Sequence, residues 1–69
     1  MKGSLVLCKE EMDIVRVLPS GELENLYFKQ GTYYTALLSG YCGVIDRSHK
    51  AIVLPESTFV RHFEIKQLN

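Results

Sequence analysis

A chain of 69 residues has room for one small domain, and on general scaling such a domain buries only about 60% of the surface its unfolded chain exposes. Its hydrophobic content of 46% is above that of a disordered chain. Eight basic residues balance eight acidic ones, which excludes a whole-chain field that would draw the protein toward phosphates or an anionic membrane.

The elements follow in chain order. "SLVLCK" (4–9) opens as a strand, and "DIVRVL" (13–18) is a second that meets a turn at "PSG" (19–21). "GELENLYF" (21–28) is ambiguous. Leu23, Leu26 and Tyr27 have helical spacing, yet the segment equally suits the return strand of a hairpin with 13–18, and extended or irregular structure is favoured. Within it, "ENLYFKQG" (24–31) differs by one lysine from a protease site used to remove tags. It is read as native, because Leu26-Tyr27-Phe28 supply an apolar plug and Gly31 can take a positive φ where the chain enters a strand.

That strand, "TYYTALLS" (32–39), has the strongest signal, being rich in β-branched and aromatic residues. Its alternation puts Tyr34, Ala36 and Leu38 on one face and Tyr33, Thr35 and Leu37 on the other. "CGVID" (42–46) and "KAIVL" (50–54) flank "RSH" (47–49), a tight hairpin loop. After Pro55, Phe59 and Phe63 stand four apart, which predicts one helical turn around 56–60 and then a short strand over 62–66.

Chemistry-bearing residues are sparse. Cys8, Cys42, His49 and His62 are a zinc set by type, but no pair has ligand spacing, so no metal and no cofactor are expected. The histidines are taken as a loop and a strand residue, and the cysteines as free thiols in a reducing compartment. A thiol needs a positioned base and a pocket that excludes water, for which so small a chain has little volume, so no enzyme is expected. "SLVLC" is too short for a signal sequence or a membrane span, so a cytoplasmic location without a membrane partner is expected. Glu10, Glu11 and Asp13 form an acidic cluster, read as a solvated face. Four tyrosines invite base stacking, but Arg16, Lys29, Arg47, Lys50 and Arg61 are scattered, so nucleic acid is the weaker partner class.

The order strand, long loop, glycine, strand, tight hairpin, strand, helical turn, strand is that of an SH3-like barrel. With "LVLCKEE" (5–11), "FKQGTYY" (28–34), "GVIDRSHKAIVL" (43–54) and "STFVRHFEI" (57–65), the chain resembles small, functionally uncharacterised SH3-like β-barrel proteins of bacteriophages and prophages. The resemblance implies an all-β fold: a single SH3-like barrel over 1–69, of about five strands, with Tyr34 pointing inward and a phage or prophage protein at work in the bacterial cytoplasm. It departs at 10–30, a long loop or hairpin excursion where those proteins have a short loop. Binding residues concentrate on loops held by a scaffold. The expected role is therefore a non-catalytic protein–protein interaction module that modulates a host or phage protein. Tyr27, Tyr33, Leu37 and Tyr41 are its candidate contacts, and self-association is a second way to cover apolar surface.

Overall fold

Strand alternation sets the architecture. The computed structural model describes residues 3–68. In β1 (Ser4–Cys8), Ser4, Val6 and Cys8 are buried while Leu5 is exposed, so the strand has one dry face. β4 (Tyr33–Leu37) pairs antiparallel with β1, Val6 opposite Tyr34 and Leu7 opposite Tyr33, so Tyr34 and Ala36 join the dry face as expected. β5 (Cys42–Ile45) adds Val44, and β6 (Ala51–Leu54) adds Leu54. With β7 (Phe63–Gln67) beyond β1, the five strands form an antiparallel sheet in the order β6-β5-β4-β1-β7.

The 10–30 excursion is a hairpin of β2 (Met12–Val17) and β3 (Leu23–Phe28), in register from Met12–Phe28 to Val17–Leu23. The segment the sequence left ambiguous is therefore the return strand, because burying Leu26 and Phe28, two apart, requires period two rather than helical spacing. This also places residues 24–28 of the protease-like stretch in a paired, partly buried strand, with residues 29–31 in the exposed turn that follows.

α1 (Glu56–His62) extends two residues past the expected turn and runs directly into β7, one residue later than expected. Phe59 and Phe63, four apart, stack at 5.6 Å between centroids. Phe63 also meets Phe28 edge-on at 5.4 Å, and Phe28 meets Tyr34 at 5.0 Å. One apolar cluster thus joins the five-stranded sheet (Val6, Cys8, Ala36, Val44), the hairpin (Met12, Leu26, Phe28) and the helix (Phe59).

The fold is all-β with one short helix, but the sheets do not close into a barrel, and seven strands are present among the described residues rather than about five. The reason lies in the hairpin. Its strands pair with one another and with neither edge of the larger sheet, so the two layers meet through side chains instead of a continuous ladder.

Two turns fix the layers. Gly31 has φ +82°, the left-handed region expected of it, and its N–H donates to the Cys8 carbonyl at 2.8 Å, turning the chain from β3 into β4 beside β1. Asp46, buried at the β5–β6 turn, accepts from the Ser48 and Lys50 N–H groups at 2.9 and 2.8 Å.

Candidate functional site

The β2–β3 hairpin has one face in the core and one in water. Met12, Ile14, Leu26 and Phe28 turn toward the sheet. On the opposite face Val15, Val17 and Leu23 are 62%, 69% and 72% exposed, with Tyr27 on the same side. Three aliphatic side chains left in water at the far end of an ordered hairpin form an apolar patch with no use in the core.

The arm is tethered rather than loose. Arg16 donates from Nε to Glu24 at 2.6 Å and from a terminal nitrogen to the Ala51 carbonyl at 2.7 Å, joining hairpin to β6. Lys50 Nζ, just before β6, donates to the Asn25 carbonyl at 2.6 Å, a second strut that holds the hairpin to the β5–β6 turn. Tyr27 Oη donates to the Glu11 carboxylate at 2.6 Å, and that bond to an anion raises the phenol's pKa above its ordinary value.

The four candidate contacts do not share one surface. Tyr27 lies on the hairpin's outer face. Tyr33 and Leu37 lie on the outer face of the five-stranded sheet, where Tyr33 is 53% exposed, Leu37 is half-buried, and Leu5 and Val53 are exposed neighbours. The hairpin covers the other face of that sheet and leaves this one open. Tyr41 follows β4, and its ring fills the space over Gly43, where an added Cβ would come within 3.1 Å of it. Val15, Val17 and Leu23 were not singled out from sequence, although a signal existed. "DIVRV" has apolar residues on both faces of its alternation, so one apolar set had to face water.

Folding does assemble cations that the sequence scatters. Lys29, Arg47 and Lys50 line a cleft of about 680 Å³ with Tyr27 and Tyr34, between the hairpin and the β5–β6 turn. Arg16 and Arg61 are engaged elsewhere, with Glu24 and Glu10 respectively. Asp46 on the cleft wall offsets part of the positive charge.

Cys8 is fully buried, and burial is the largest cause of its raised thiol pKa. Its Sγ donates to the Glu10 carbonyl at 3.1 Å, and His62 Nδ1 donates to that same oxygen at 2.9 Å. Thiol and imidazole are thus tied to a shared acceptor, and the thiol is held protonated rather than poised as a nucleophile. His62 sits at the end of α1 rather than in the expected strand, whereas His49 lies in the β5–β6 turn as expected. Among the described residues no three His, Cys, Asp or Glu side chains group as a metal site. No helix among them is long and apolar enough to cross a membrane. No family model matches the chain, and comparison with curated proteins and with solved structures finds no similar protein.

Proposed function

We propose that this protein is a non-catalytic protein–protein interaction module that binds a host or phage protein in the bacterial cytoplasm through the outer face of the β2–β3 hairpin. The observation that carries the reading is the exposure of Val15, Val17 and Leu23 on an arm whose other face is locked into the core. A rigid arm loses little conformational entropy on docking, so its apolar area converts efficiently into affinity. Tyr27 lies beside the patch as an amphipathic anchor. An SH3-like origin for the scaffold is part of the same proposal, supported by the chain order around Gly31 and the helix before β7.

The test is affinity capture from an expressing bacterium, comparing the native chain with a Val17→Asp/Leu23→Asp variant. A partner identified by mass spectrometry is expected to be lost with the charged arm and retained with Tyr33→Ala and Tyr41→Ala. Equal recovery of every partner by the native chain and the charged variant removes the arm from the function.

A second reading, a nucleic-acid-binding domain, gains from the convergence of Lys29, Arg47 and Lys50 beside Tyr27. Three phosphate contacts give a shallow salt dependence, with a log–log slope of roughly −2 on single strands. Binding of a single-stranded probe with that slope, abolished by Arg47→Glu and indifferent to Val17→Asp/Leu23→Asp, would place function in the cleft instead.

A further inference from the structure

The two edges of the five-stranded sheet are treated differently. At the β6 edge, the Ala51 carbonyl accepts from Arg16, and the hairpin is strapped alongside. At the β7 edge, no strand among the described residues pairs on the far side. The His62 carbonyl faces β1, accepting from the Lys9 N–H at 2.7 Å, so alternation turns the backbone N–H and C=O of Phe63 and Ile65 toward the open edge.

Open edges template further pairing, and soluble proteins blunt them with charged side chains, lysine above all, or with proline. β7 carries a lysine, but one neutralised within its own strand, Lys66 Nζ lying 2.9 Å from Glu64 Oε1. The sequence Phe63-Glu64-Ile65-Lys66-Gln67 is charge-complementary to itself when reversed. Laid antiparallel on a second copy about Ile65, it puts Glu64 opposite the other chain's Lys66, twice over, and a parallel arrangement would set Glu64 against Glu64. Lys66 stands at the irregularity where Leu5 and Val6 of β1 pair with Gln67 and Ile65, yet its ammonium remains on the side of Glu64. Ile65 is 46% exposed, and with Leu68 it borders an apolar groove of about 620 Å³ whose floor includes Leu38 and Phe59.

We infer that the β7 edge is a homodimer interface: two copies pair antiparallel across a twofold axis at Ile65, joining their five-stranded sheets, with Glu64 and Lys66 setting the register. This surface is separate from the hairpin arm, so the two inferences stand or fall independently. The interface is isologous and closes at two copies, because both chains use the same edge and each covers the other's.

Sedimentation velocity of the full chain over a dilution series is expected to show reversible formation of a species of twice the 7.9 kDa chain mass. Glu64→Lys or Lys66→Glu alone sets like charges opposite at both cross-strand positions and should weaken self-association about tenfold or more. Mixing the two single variants should restore association as a heterodimer, as should Glu64→Lys/Lys66→Glu in one chain. Ile65→Pro removes an edge-facing N–H that the monomer does not use. It should leave the far-ultraviolet circular dichroism unchanged while abolishing the dimer. A single-chain mass at the highest concentration overturns the inference. So does a dimer indifferent to Ile65→Pro, or single variants that do not recover on mixing.

Discussion

Cys8 and Cys42 show how far burial separates two identical side chains. Both are free thiols, but Cys8 lies in the core and Cys42 is half-buried on the wall of the apolar groove. Iodoacetamide at neutral pH is expected to add one group, at Cys42, with Cys8 labelled only in denaturant; peptide mass spectrometry checks the site. Burial raises the Cys8 pKa above its ordinary 9.0, so the folded state holds a proton that the unfolded state releases. Its contribution to stability is complete below about pH 9 and is lost as pH rises through the higher folded value. Urea midpoints should therefore fall on the alkaline side, and Cys8→Ala should flatten that fall. A wild-type midpoint unchanged above pH 9 would show that Cys8 carries no such linkage. The sequence supported free thiols, but not which thiol is protected, because that depends on Phe28 and Leu26 arriving from a hairpin about twenty residues away.

Elements were legible in proportion to how local their cause is. The strand at 33–37 and the helix after Pro55 were readable because period and spacing are properties of adjacent residues. β3 was legible only as a preference for extended or irregular structure, since Leu23, Leu26 and Tyr27 permit a helix until Leu26 and Phe28 find a core to enter. Which face of β2 meets water was hidden for the same reason: Ile14 and Val15 differ in burial through packing, not through residue type. The β5–β6 turn was the clearest short-range signal, and it yields two predictions of opposite sign. His49 is the one non-glycine residue among those described with a positive φ, at 64°, so His49→Gly should relieve backbone strain and raise stability by about 0.5 kcal/mol. Asp46→Ala leaves the Ser48 and Lys50 amides without their carboxylate acceptor and should cost about 1–2 kcal/mol. Chemical denaturation of both variants checks the pair, and a destabilised His49→Gly would show that the imidazole makes an unrecognised contact.

At the scale of the whole molecule three surfaces can be told apart: the hairpin's outer face, the cation-lined cleft that it meets at Tyr27, and the β7 edge, which lies apart from both. None was legible as a surface in the sequence, since each joins residues that only long-range pairing brings together. Their separation permits one decisive rearrangement. Replacing 17–23 by Asn-Gly closes the hairpin with a two-residue turn across Arg16–Glu24, a pair whose backbone groups face each other, since the Leu18 N–H donates to the Glu22 carbonyl and strand residues alternate. Met12, Ile14, Leu26 and Phe28 stay in place against the sheet, so the core is kept. The Arg16 tether to Glu24 and to the Ala51 carbonyl is kept, so the loss is confined to the hairpin tip and should cost about 1 kcal/mol or less. The shortened chain lacks Val17 and Leu23 but keeps Tyr27, Lys29 and Lys50 of the cleft and the whole of β7. It is expected to fold, to self-associate as the native chain does, and to lose its captured partner. Retention of that partner by a folded, shortened chain would move the binding surface off the arm. Loss of self-association would show that the hairpin, not β7, holds the two copies together.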